Sequence, residues 1–252
     1  RAFPVLGGIT MTGSDGSRFH GIQQQVYRSI LRSIVELEIP PGKKLTIGRL
    51  KTIYGVSSTP VRGALYKLKE DGLLILGPSK SFYVKEISEE EVRKLFYVRI
   101  ELEKLALRES IDSVDMSVIS NLIIRMRKHL SNREETMENV PYDIDYKLHR
   151  LILENCGNSY LIDIMQKISI LITRMRNVIK YYLPQQQKDW IICEMEEHLE
   201  IAEGILERNL SRAEMALDRH LKHSMDIICS ILGSSKVDYK TATSFLELEA
   251  KV

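Results

Sequence analysis

The 252-residue chain has no uninterrupted apolar run of about 18 residues, so no stretch is a candidate membrane-spanning helix. Cysteine is scarce. Cys156, Cys193 and Cys229 are odd in number and form no C-x-x-C pair. The expectation is buried thiols in a reducing cytoplasm, and nothing around any of them marks a catalytic nucleophile. Residues 1–21 are rich in Gly, Ser and Thr but lack the apolar core of a secretory signal, and read as a flexible leader. Internal repeats and low-complexity tracts are absent, and strand signals vanish after Ser88. What remains, 44% hydrophobic and 28% charged, is the composition of an ordinary globular chain, long enough for one large domain or two modest ones.

The net charge of +2 hides an asymmetry. Residues 18–88 carry 12 Lys/Arg against 5 Asp/Glu, and residues 89–252 carry 23 against 28. A basic segment followed by an acidic one fits a polyanion-binding module joined to something else, and fits scattered surface charge equally well.

Apolar periodicity sorts the basic segment into elements. Tyr27, Ile30, Leu31, Ile34 and Leu37 share one face of a helix over residues 23–38, and Pro40-Pro41-Gly42 ends it. A short helical stretch with Ile47, Leu50, Ile53 and Tyr54 closes at Gly55. Ser57, Ser58 or Thr59 can cap the next helix, Pro60 suits its first turn, and Gly72 is placed to end it. Val61, Ala64, Leu65 and Leu68 form its inward face. Two apolar runs, residues 73–76 and 82–84, flank a Gly-Pro turn and read as a β-hairpin. The order helix, helix, helix, hairpin is that of a winged helix-turn-helix. From Ser88 a capped acidic helix start opens about six helical segments reaching Leu232, joined by short connections as in an antiparallel bundle. Residues 234–252 read as a polar tail. The fold class is therefore mainly α, with boundaries at 22–87 and 88–233.

In such a head the second helix of the motif enters the major groove, and helix N-termini grip phosphates. Its exposed face would carry Arg62, Tyr66, Lys67 and Lys69, with hydroxyls of Ser57, Ser58 and Thr59 beside the positive helix end. Arg62, one turn in, is placed to reach a base edge. Lys80 at the hairpin tip is placed for a minor groove or a phosphate, and Tyr66 for packing. A solvated basic face is the alternative for each of these cations.

The acidic half contains His129, His149, His198, His220 and His223. Asp145 and His149, four apart, project from one helix face. With His198 and His220 they would make a mixed N/O site suited to zinc, nickel or manganese rather than calcium. Spacing alone leaves this open, because D-x-x-x-H pairs on surface helices are commonplace.

The run IPPGKKL…GVSSTPVRGALYKLKEDGLLILGPSKSFYV resembles the winged helix of the GntR family of bacterial regulators. It departs from the usual family residues at Gly48 and Ser58 (Arg), Gly63 (Glu) and Lys80-Ser81 (Arg-Gly). Arg49, beside Gly48, is expected to substitute in part. VRIELEKLAL, DIDYKLHRLILENCGNSYL, EMEEHLEIAEGILERNL and AEMALDRHLKH resemble the FCD ligand-binding domain of the FadR-type subgroup, with the length favouring a six-helix VanR-like form. The resemblance places metal ligands on Asp145, His149, His198 and His220. His129 and His223 match no ligand position and read as ordinary surface histidines. It also places effector contact on Arg99, with Arg174 and Arg176 as weaker candidates, although Arg99 can instead pair with Glu103. It implies a cytoplasmic homodimer on operator DNA answering to a small carboxylate at the metal, and no catalysis. The rivals are a purely structural metal and a metal-dependent hydrolase fused to a DNA-binding head.

Overall fold

A computed structural model describes residues 18–138, 141–183 and 189–234. Most of the expected leader and nearly all of the expected tail lie outside them. The head consists of α1 (Arg18–Val35), β1 (Lys44–Leu45), α2 (Ile47–Tyr54), α3 (Ser58–Glu70), β2 (Leu74–Leu76) and β3 (Phe82–Val84). α1 starts before residue 23, inside the stretch read as leader. The hairpin is present with Ile75 opposite Tyr83, and β1, a strand the apolar pattern does not announce, adds to its outer edge in the order β1-β3-β2. Local chemistry sets these ends. Gly55 at φ 63° closes α2, and Gly72 at φ 78° turns the chain out of α3. Ile30, Ile34, Leu50, Val61, Leu65, Leu68 and Phe82 form the head's own core.

The second domain holds α4 (Glu89–Ser110), α5 (Met116–Ser131), α6 (Arg133–Glu138), α7 (Tyr142–Glu154), α8 (Ser159–Tyr182), α9 (Asp189–Leu206) and α10 (Leu210–Gly233). That is seven helices among the described residues, where the chain length favoured six. The addition, α6, is a single short helix inside the stretch expected to be a break. Side chains of Ser88, Asp115, Asn158 and Asn209 accept from backbone N–H groups in the first turns of α4, α5, α8 and α10. No described helix is long and apolar enough to cross a membrane.

The head is clamped to α8. Ile170 and Leu171 pack on the head's core, while Leu37 and Ile87 join a cluster with Phe96, Val178 and Ile228. Polar bonds reinforce the seam. Asn177 donates to the Val35 carbonyl at 2.7 Å, Arg174 to the Lys85 carbonyl at 2.5 Å, and the Tyr181 hydroxyl to Glu36 at 2.7 Å.

α9 and α10 approach most closely at Gly204, where a Cβ would lie 2.8 Å from the Ala213 nitrogen and 2.9 Å from its Cα. These are backbone atoms and cannot swing aside. Gly204→Ala is therefore expected to lower stability by about 1–3 kcal/mol despite alanine's better helix propensity. A denaturation midpoint equal to wild type would show that the two helices are not locked there.

Candidate metal centre and DNA-reading face

On the head, Thr59 and Arg62 stand exposed on the N-terminal half of α3, and Arg49 is exposed on α2. Ser57 occupies the N-cap position without its side chain capping the helix, and Ser58 is half-buried. Lys67 departs from the expected reading face. Its ammonium lies 4.6 Å from the Tyr27 ring centroid, drawn toward α1. Five residues beyond Arg62, it points away from that side chain on a 3.6-residue turn. Lys69 is the exposed cation further along α3. Tyr66 packs edge-on against Phe82 with centroids 5.3 Å apart, tying α3 to the hairpin. Lys80 at the hairpin tip is exposed and holds φ 57°, a conformation that ordinarily favours glycine.

In the bundle, α7, α9 and α10 bring Asp145, His149, His198 and His220 together, one ligand atom from each lying within 4.8 Å of all the others. Asp145 Oδ1 is 3.5 Å from His149 Nε2 and 3.2 Å from His198 Nε2, and His149 Nε2 is 3.3 Å from His220 Nε2. Ligand atoms around one ion with bonds of about 2.1 Å are separated by about 3.0–3.4 Å.

The outer contacts decide what these atoms can be. His149 Nδ1 is 2.5 Å from Glu103 Oε2, and His220 Nδ1 is 3.1 Å from Glu197 Oε2. Each carboxylate accepts a hydrogen bond from an Nδ1–H, so each Nε2 presents a lone pair to the centre. Two lone pairs then face each other with no donor between them. His198 Nε2 and Asp145 Oδ1 are likewise buried without a hydrogen-bond partner among the described residues. Three imidazole Nε2 atoms and one carboxylate oxygen converging on one point fit a cation.

Charge follows the same logic. Burial would raise the Glu103 carboxyl, but Arg99 and His149 outweigh it and hold it at about 2. Burial likewise opposes ionisation of Asp145, yet the Arg176 guanidinium keeps it well below the usual carboxylate range. Burial and the neighbouring imidazoles push His220 well below its ordinary value, toward the neutral form that binds metals.

A cavity of about 130 Å³ opens beside the cluster, lined by Arg99, Glu103, His149, Met165, Thr173 and Arg176. It is comparable to a cavity of roughly 150 Å³ that accepts benzene. Arg99 does pair with Glu103, at 2.5 Å, and also lines the cavity, with Nη1 buried and lacking a hydrogen-bond partner among the described residues. Arg174 does not reach it. Two residues before Arg176, it points out of the cavity toward the head and donates to Lys85. Arg176 faces in, bonded to Asp145 and, at 2.6 Å, to Glu194. Glu197 is a residue that spacing does not reveal, since it adjoins His198 yet serves His220. His223 is not an ordinary surface histidine, because its Nδ1 is 2.9 Å from Glu197 Oε1. His129 is half-buried and contacts Thr136 at 3.2 Å.

Residues 22–84 match the family described as bacterial regulatory proteins, gntR family, and residues 94–223 match the FCD domain. The chain is 25% identical over 215 residues to the HTH-type transcriptional regulator YdhC of Bacillus subtilis, covering 84% of this chain and 93% of that one. It is 24% identical over 211 residues to the HTH-type transcriptional repressor RspR of Escherichia coli, covering 83% and 90%. Among solved structures, a GntR regulator from Rhodococcus superposes with a TM-score of 0.64 at 17% identity, covering 86% of this chain and all of that one. Escherichia coli McbR superposes with a TM-score of 0.63 at 15% identity, covering 83% and 97%. These relatives are transcriptional regulators, not enzymes. The chain belongs to the GntR family of bacterial transcriptional regulators, with a winged helix-turn-helix head followed by an FCD domain.

Proposed function

We propose that this regulator binds operator DNA as a cytoplasmic homodimer, carries a divalent metal on Asp145, His149, His198 and His220, and responds to a small carboxylate beside that metal. The carrying observation is the convergence of one carboxylate oxygen and three imidazole nitrogens next to a cavity that holds Arg99, whose Nη1 has no hydrogen-bond partner among the described residues. Zinc, nickel or manganese suits three imidazoles and one carboxylate. When bound, it supplies positive charge to the floor of the cavity. Arg99 holds the effector's carboxylate, a pairing that guanidinium geometry favours. Two-fold symmetry would match a short pseudo-palindromic operator.

Response to the effector runs through α8. Arg176 lines the cavity, while Arg174, Asn177 and Tyr181 on the same helix hold the head. An anion that competes for Arg99 or Arg176 changes where α8 sits, and the head moves with it. Effector and operator affinities are then linked reciprocally, with a coupling of about 1–3 kcal/mol.

Three outcomes are expected. Purified protein retains metal at this cluster after dialysis, and His149→Ala or His220→Ala loses it. Glu103→Gln weakens affinity by about 10–100-fold, as removal of an outer partner does. Elemental analysis and chelator competition measure this, and unchanged affinity in His220→Ala would sink the assignment. On the DNA side, Arg62→Ala weakens specific operator binding by about 1–3 kcal/mol, read by fluorescence anisotropy at fixed salt. Equal affinity for specific and scrambled DNA in the wild type would contradict the head's role. Finally, operator affinity measured against a panel of small mono-, di- and tricarboxylates shifts for at least one member. Arg99→Met abolishes the shift without removing the metal. A metal-depleted protein with the full response would leave the metal only structural.

A further inference from the structure

A second group of metal-ligating atoms converges away from the Asp145 cluster. Cys193 and Glu197 lie four residues apart on α9, one turn on the same face, and His223 meets them from α10. Cys193 Sγ is 4.0 Å from Glu197 Oε1 and 3.9 Å from His223 Nδ1, while Glu197 Oε1 and His223 Nδ1 are 2.9 Å apart. Ordinary bonds to a tetrahedral zinc would set such separations at about 3.3–3.6 Å. Shifts of a few tenths of an ångström would bring all three atoms onto one ion.

The surroundings suit a cation that arrives from solvent. The His223 side chain is 36% exposed, whereas Glu197 is nearly buried between the two helices. The nearby charges around the thiol are each paired: Glu194 with Arg176, Glu196 with Arg133 and Arg219 with Glu200. We propose that Cys193, Glu197 and His223 form a second cation site, for a borderline-soft divalent ion such as zinc. Thiolate with imidazole selects such an ion over magnesium or calcium. Binding breaks the Glu197–His223 hydrogen bond, whose proton moves to His223 Nε2 as the ring changes tautomer, releases the Cys193 thiol proton to solvent and leaves further coordination positions open on the exposed side.

Glu197 serves both places, one oxygen for each. Oε2 accepts from His220 at 3.1 Å, and Oε1 faces the new site. The new site itself does not depend on the reading of the Asp145 cluster.

Cobalt titration of the full chain tests this, because a thiolate–cobalt bond adds an intense charge-transfer absorption in the near ultraviolet. Wild type is expected to take up about two cobalt ions per chain, with the thiolate band growing as the site containing sulfur fills. Cys193→Ser should bind about one ion and lack the band, and His223→Ala should bind the second ion at least about tenfold more weakly. Cys193→Ser should keep the wild-type unfolding midpoint without added metal, which separates lost ligation from lost fold. His149→Ala should lose the inner ion and keep the band, so failure of the inner cluster is distinguishable from failure of this one. Uptake of a single ion by wild type with no thiolate band, or a band that persists in Cys193→Ser, overturns the proposal.

Discussion

Two hydrogen bonds govern the centre of this protein: Glu103 to His149 Nδ1, and Glu197 to His220 Nδ1. Each fixes an imidazole in one tautomer and points its other nitrogen inward as an acceptor. Buried polar atoms without partners cost about 1–3 kcal/mol each, and here two, His198 Nε2 and Asp145 Oδ1, lie side by side with the other two imidazoles. Natural interiors seldom gather such groups without a partner. Arg99 holds Glu103 ionised and Arg176 does the same for Asp145, while burial pushes Glu197 up, so the proposed ligands stand among fixed charges on the floor of the cavity.

The same network reaches the DNA-reading head within two turns of one helix. On α8, Arg176 belongs to the cavity, and its neighbours Arg174 and Asn177 belong to the seam with the head. A helix serving two surfaces transmits displacement because neither surface can repack without moving it. The apolar contacts of Ile170 and Leu171 with the head's core add to that stiffness.

Much of this was legible in the residues because the signals are local. Ser57, Pro60 and Gly72 bound α3 within single turns, and the Gly-Pro pair marks the hairpin. Asp145 and His149 share a face by helical spacing alone, and the family resemblance points to the histidines on α9 and α10 that the fold gathers with them. What escaped notice depends on rotation about a helix axis or on tertiary neighbours. Lys67 is basic and sits in the reading helix, yet its phase turns it onto Tyr27. Arg174 and Arg176 differ by about 200° around α8, so a shift of two residues exchanges the cavity for the seam. Glu197 and His223 carry no motif, and their roles arise only where α9 meets α10. β1 and α6 are too short for periodicity to announce.

The seam with the head also governs how the regulator can meet its target. Only residues 85–88 separate β3 from α4, and the Lys85 carbonyl within that stretch is held by Arg174. The two domains therefore behave as a bracket with a stiff corner rather than as beads on a string. In the proposed homodimer, the gap between the groove-reading helices would be inherited from the bundle and could not be taken up by slack in a tether. Half-site separation on the duplex then becomes a mechanical property of the bundle, and a tilt of α8 by a few degrees would be felt by the DNA as a ruler of the wrong length.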